Sequence, residues 1–293
     1  MIRNPSVQGA LLGLSSFGLF ALADVTIKFM GLGLSPVQII FTAGLFSLPL
    51  IVLRAISAEG NLSLRPKLPL WSIIRVALIL VNSIFVSYTF TKLPLAQAYA
   101  IFFCMPLLIT VLAVPLLGER LDLPRILAIL LGFSGVLVAL RPGHSVLQLA
   151  HLTAILGATL GALNSLILRN TGKRERPSIM LLYPAMAQVI VLGAIMPWFW
   201  QPMDPFTWSL AALLGFLSVA GGILIISAYS SAHAIVVAPM QYSQIIWGAL
   251  CGAFIFGEKM DALMVLGIGV IVAAGLFLLW TSGQSMAGST KAQ

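Results

Sequence analysis

Two stretches, Ile126 to Leu140 and Met264 to Trp280, are apolar on every face, with no alternation of period two and no polar stripe of period 3.6. A helix that is hydrophobic all round has no water-facing side, so it must sit in a large core or in lipid. Eight further runs of comparable length flank these two, and a chain of 293 residues has no core that could swallow them all. The residue count agrees: 60% of the chain is apolar, and only 16 basic and 8 acidic residues remain to face water. Soluble, disordered and fibrous classes are excluded. An outer-membrane barrel is excluded as well, because its strands would alternate apolar and polar residues.

Taking about 20 apolar residues per crossing, and breaking the chain where charges, prolines and glycines cluster, predicts ten spans. They run Val7–Met30, Pro36–Arg54, Leu70–Thr91, Pro94–Leu117, Pro124–Leu140, His151–Leu168, Ser178–Phe199, Thr207–Ser227, Ala232–Phe256 and Ala262–Thr281. Met1-Ile2-Arg3 leads straight into the first of these, which reads as a span and not as a removable signal. Twelve of the basic residues, from Arg3 to Lys291, fall on one side of this arrangement. Four, Lys28, Lys92, Arg141 and Lys259, fall on the other. Basic loops stay inside, so both termini are expected in the cytoplasm, and the net charge of +8 orients loops without implying a nucleic-acid partner.

After the fourth span the chain reads Leu117-Gly118-Glu119-Arg120-Leu121-Asp122, and after the ninth Phe256-Gly257-Glu258-Lys259-Met260-Asp261. The two glycines lie 139 residues apart (257 − 118), close to half the chain. Each motif is followed by one apolar span. The chain therefore reads as two five-helix repeats, 1–142 and 143–283, with residues 284–293 as a cytoplasmic tail. An odd number of spans per repeat forces the second to enter the membrane from the opposite face, and inverted repeats enclosing a midplane site are a recurrent build of secondary transporters.

With these residues the chain resembles the drug/metabolite transporter superfamily and its EamA-type halves. Within it, Asp24-Val25-Thr26-Ile27-Lys28 and Ala232 to Trp247 are most similar to YddG-type exporters of aromatic amino acids. The resemblance implies ATP-independent efflux of small metabolites across a bacterial inner membrane, with amino acids, other metabolites and cationic drugs in the substrate range. From the residues themselves, no Gly-rich loop ending in Lys-Ser/Thr and no strand-borne Gly-x-Gly-x-x-Gly is present. No enzyme activity, cofactor, metal or obligate protein partner is expected; the partners are a small-molecule substrate and the lipid bilayer. A cationic-drug exporter, a channel and a membrane-embedded enzyme acting on lipid-linked substrates stay open as alternatives.

Polar groups inside a bilayer mark pathways or joints. Asp24 is the one carboxylate well within a span, with Lys28 four residues on and on the same helical face. The two read either as a coupling site or as a local ion pair. In the fourth span Tyr99, Phe103 and Pro106 share a face, and in the ninth Gln241, Gln244 and Trp247 recur at i, i+3 and i+6. Rings beside amides suit an aromatic metabolite with amino and carboxyl groups, so Tyr99, Phe103, Gln241, Gln244 and Trp247 are expected to line the cavity. Asn82, Asn164 and Tyr183 are added as further lining candidates, with Tyr88 and Gln188 beside them.

Pro106 and Pro239 are candidate hinges, because proline frees a helical carbonyl. Glu119 and Glu258 are expected to cap the helices that follow them, as are Asp122 and Asp261. Gly9/Gly13, Gly157/Gly161 and Gly248/Gly252 mark close helix contacts. Cys104 and Cys251 read as core residues, and His144, His151 and His233 as interfacial ones. Spans one, three, four, six, eight and nine are expected to surround the cavity, with five and ten facing lipid or a neighbouring subunit.

Overall fold

A computed structural model describes residues 5–59, 65–118, 123–140, 148–171, 174–175, 177–232 and 234–290. Spans one to three are the helices α1 (Pro5–Met30), α2 (Pro36–Glu59) and α3 (Pro69–Lys92). Span four is divided into α4 (Leu95–Phe102) and α5 (Met105–Leu117), and span five is α6 (Leu123–Leu140). The second half repeats the scheme with α7 (Leu149–Thr171), α8 (Pro177–Phe199) and α9 (Pro205–Ser231) as spans six to eight. Span nine is α10 (Ala234–Val237), a 3-10 turn (Ala238–Tyr242) and α11 (Ser243–Phe256), and span ten is α12 (Ala262–Thr290). The last helix continues through the stretch read from sequence as a tail.

The helices neighbour one another in symmetric pairs. Span one packs on span eight, and its mate, span six, packs on span three. Span one also meets span nine as span six meets span four, while spans two and seven, four and nine, and five and ten pair with each other across the dyad. Phe103 and Tyr242, again 139 residues apart (242 − 103), place their ring centroids 5.3 Å from each other on this pseudo-two-fold axis. The chain is thus an all-α polytopic membrane protein of ten spans in two inverted five-helix repeats.

The divided spans have a stated cause. Pro106 has no N–H to give the Phe102 carbonyl, and the ladder is interrupted at residues 103 and 104, where the Cys104 N–H turns back to the Ile101 carbonyl at 3.1 Å. Pro239 sits in the tight turn that interrupts span nine. Both proposed hinges therefore lie at breaks in the helices. The exits are also alike: Gly118 and Gly257 have φ of 67° and 65°, the left-handed conformation that ends a helix and that a side chain disfavours.

The glycine pairs mark close approaches, as their spacing implies. A Cβ on Gly9 would strike Ala232, just past the end of α9, and one on Gly157 would press on Phe102 of α4, so each of the two symmetry mates uses a glycine for a close contact with a neighbouring span. Spans five and ten face lipid on one side only. Leu130, Leu137, Val265 and Leu266 are exposed, whereas Ala128, Val136, Ile271 and Ala274 are buried, and Gly135 and Gly267 bring the two helices into backbone contact. The uniform apolarity of these helices conceals that division, because lipid and a packed helix accept the same residues.

Candidate functional site

The loop Gly257-Glu258 folds back on the end of α11, and the Glu258 N–H bonds the Gly252 carbonyl at 2.9 Å. This turns the carboxylate inward, into space that Gly252 leaves open. Glu258 Oε2 accepts the Leu95 N–H at 2.8 Å, and Oε1 lies 2.6 Å from Lys28 Nζ, which also donates to the Leu93 carbonyl at 2.6 Å. Glu258 therefore caps α4 of the opposite repeat and not the helix that follows it, a correction to the expected role. Asp261 does cap α12, accepting the Met264 N–H at 2.8 Å. Glu119 and Asp122 lie outside the described residues.

Asp24 and Lys28 do not pair with each other, although one face of α1 presents both. The ammonium is taken by Glu258, and Asp24 Oδ2 accepts a hydrogen bond from Tyr99 Oη at 2.6 Å. Tyr99 stacks on Phe103 with centroids 6.0 Å apart and meets Phe90 edge-on at 5.3 Å. Its ring fills the space left by Gly248 of α11. Tyr99 and Phe103 are 3% exposed, so this aromatic group cements the two repeats and lines neither of the two chambers described below. A second polar tie closes the same end of the molecule. Gln38, fully buried, donates Nε2 to the Gln201 carbonyl at 2.7 Å and accepts the Gln201 N–H at 2.9 Å.

Inside these ties lie two chambers. The outer one holds about 320 Å³ and is walled by α1, α2, α3, α8 and α9, with Ile27, Ala43, Asn82, Val86 and Leu214 on its lining. The inner one holds about 300 Å³ between α2, α3, α8 and α9, with Ile51, Arg54, Arg75, Pro184 and Ile223. They share Ser47, Gln188 and Ser218, so a polar waist joins them in mid-membrane. Both volumes are at the lower end of the range in which proteins hold small molecules. Among the described residues, neither chamber is lined by an acidic side chain.

The walls of these chambers differ from those expected of the substrate cavity. Spans two and seven take the places expected of four, six and nine. Of the candidates, Asn82 lines the outer chamber and Gln188 the waist. Tyr183 borders adjoining recesses beside Arg75 and against Ile190. Asn164 is recruited differently: its Oδ1 accepts from Arg75 Nε at 3.0 Å. Gln241 and Gln244 are half-buried on the ninth span and line neither chamber, and Trp247 is 41% exposed with its indole nitrogen toward Gly18. The 3-10 turn at Ala238–Tyr242 divides the expected stripe, with Gln241 in the turn and Gln244 and Trp247 on α11. His151 is held by the Gln148 N–H and Gln97 at 3.0 and 3.1 Å; His144 and His233 lie outside the described residues.

Ser47, Ser218, Arg54 and Arg75 are missed by sequence reading. A serine in mid-span bonds its own helix so readily that it carries no signal. Arg75 counts toward the inside charge, yet it stands six residues into α3, and an arginine within a span was the available clue.

The sequence comparison settles the family. The pattern of the EamA-like transporter family matches residues 7–141 and again residues 148–292. The chain belongs to that family. This EamA-like protein is 26% identical over 270 residues to the S-adenosylmethionine uptake transporter of Rickettsia prowazekii, covering 92% of each chain. It is 24% identical to the riboflavin transporter of Vibrio cholerae over 97% of each, and 24% identical to the pseudopaline exporter CntI of Pseudomonas aeruginosa over 95% of this chain and 98% of that one. A solved crystal structure of 17% sequence identity superposes with a TM-score of 0.63 over 94% of this chain and 96% of that chain, which marks a shared fold. The EamA-like chain is accordingly a multi-pass membrane protein of a small-molecule transporter family.

Proposed function

We propose that the protein is a secondary carrier of a bacterial inner membrane, moving a small neutral or zwitterionic metabolite by alternating access without ATP. The observation that carries this reading is the pair of chambers meeting at Ser47, Gln188 and Ser218. Helices of both inverted repeats build the walls, so rocking one repeat against the other would open the waist to either face in turn. The Lys28–Glu258 and Gln38–Gln201 ties close the outer end, and Pro106 and Pro239 mark where the divided spans can bend. Hydroxyls and amides at the waist can bond an amino acid's polar groups without a fixed charge that would trap it.

Neutral amino acids are the first substrates to try, and export is the direction when the metabolite accumulates inside. A preference for aromatic side chains draws no support from the chambers, whose linings include no aromatic ring among the described residues. Cationic drugs find no carboxylate on those linings. The test is counterflow in proteoliposomes preloaded with unlabelled amino acid, scoring uptake of labelled threonine, phenylalanine, tryptophan and lysine. Saturable exchange of a neutral amino acid that Ser218→Phe abolishes is the expected result. No exchange of any amino acid, beside a working control carrier, would refute the substrate class, and exchange unaffected by Ser218→Phe would refute the route.

A further inference from the structure

Among the described residues, the lining of the inner chamber holds two cations, Arg54 and Arg75, and no carboxylate. Arg75 is clasped by neutral acceptors: Nε donates to Asn164 Oδ1 at 3.0 Å and Nη1 to the Met180 carbonyl at 2.9 Å. These bonds aim the guanidinium without neutralising it. The same protein shows what a resident pair looks like, in Lys28 and Glu258 at 2.6 Å. Among the described residues no carboxylate makes such a pair with Arg75. Glu175, which borders a small recess with it, spends Oε2 on the Leu68 N–H at 2.9 Å. Arg54, an exposed residue of α2, lines the same chamber, whose lining also includes the apolar Ile51, Ile79 and Pro184. Two like charges on one chamber repel, and an anion bound at Arg75 offsets that repulsion and completes the fork of donors that a guanidinium offers.

We propose that Arg75 and Arg54 form an oxyanion-binding subsite of the transport route. It selects a soluble metabolite that carries a carboxylate or phosphate group. Asn164 is a positioning residue, holding Arg75 in register. The proposal rests on the carrier reading above, since it places the substrate's acidic group at the inner entrance of that route.

The test is thermal unfolding of the purified full-length protein in uncharged detergent, with glutarate and inorganic phosphate as probes and 1,5-diaminopentane as the cation of equal length. Saturable stabilisation by glutarate or phosphate and none by the diamine is expected. Arg75→Gln should weaken the apparent anion affinity by about tenfold or more, and Arg75→Lys, which keeps charge but not the fork, by less. An equal response to the diamine, or an anion response unchanged in Arg75→Gln, overturns the proposal. So does a response that phosphatidylglycerol competes away while itself binding through Arg75, because the site then holds a lipid headgroup. If Arg75→Gln fails to fold, Arg54→Gln and Asn164→Ala carry the test; each should weaken glutarate several-fold, and wild-type affinity in both overturns it. Failure of counterflow with every substrate while anion binding follows Arg75 would remove the carrier reading and leave this site. Exchange of a neutral amino acid untouched by Arg75→Gln would do the reverse.

Discussion

The Lys28–Glu258 contact is the outer tie whose energy can be worked most directly. Both side chains are largely buried, at 12% and 14% exposure, and the N···O distance is 2.6 Å. Removing one member of such a pair strands the other charge, at a cost of about 3–5 kcal/mol. Lys28→Met does this to Glu258, leaving the carboxylate with the Leu95 N–H at 2.8 Å. Glu258→Gln strands the Lys28 ammonium in turn, leaving it with the Leu93 carbonyl at 2.6 Å, so a loss of the same order, about 3–5 kcal/mol, is expected even though an amide oxygen can still accept from Leu95. The double variant has no charge left to strand. It should therefore be no worse than Lys28→Met alone, and the cycle should return a coupling of about 3 kcal/mol or more. The assay is unfolding by SDS in mixed micelles, giving a free energy for each of the four proteins. A coupling below about 0.5 kcal/mol, in the range of an exposed surface pair, would refute the account of Glu258 as the bolt between the repeats.

Other expectations are as direct. Gly257→Ala forces a side chain into a left-handed φ of 65° and should cost roughly 1–2 kcal/mol, read by the same SDS titration; a neutral effect would mean that the turn relaxes freely. Gly248→Val drives a branched side chain into the ring of Tyr99 and should destabilise by about 1–3 kcal/mol, whereas Gly222→Ala, with open space around its Cβ, should be far milder. Asp204 caps α9 by accepting the Thr207 N–H at 3.0 Å, which holds its carboxyl below the usual range. A depressed folded value means stabilisation that is present at neutral pH and lost as the pH falls through it. The Tm difference between wild type and Asp204→Ala should therefore shrink on acidification, and a difference that is constant with pH would show that the charge contributes nothing. Gln188→Leu should lower counterflow at least about tenfold at unchanged Tm, since the waist loses an amide that neither helix packing nor the ties require.

Much of the architecture was legible before any coordinates. Lipid demands about 20 apolar residues per crossing and expels charge to the loops, so hydropathy and basic residues alone determined ten spans and their sidedness. The repeated Gly-Glu motif revealed the inversion, and its glycines proved to hold the left-handed exits that make the motif recur. Glycine spacing also announced the close approaches of spans one and six.

The route through the protein was another matter. Inside a bilayer, a helical face that meets lipid, one that meets another helix and one that meets a cavity can all be apolar, so periodicity could not tell α2 and α8, which wall the chambers, from α4, α7 and α11, which do not. Tyr99, Phe103 and Trp247 obeyed the expected spacing and were still drawn elsewhere, the first two onto each other along their own span, with Phe103 meeting Tyr242 across the dyad. Lys28 is four residues from Asp24 and 230 from Glu258 (258 − 28), yet it pairs with the distant partner, because the turn at Gly257 carries that carboxylate to the end of α4. Composition determined what solvent this chain must live in. Which polar groups meet across the repeats, and where a pathway is left between them, was decided only when the two halves packed together.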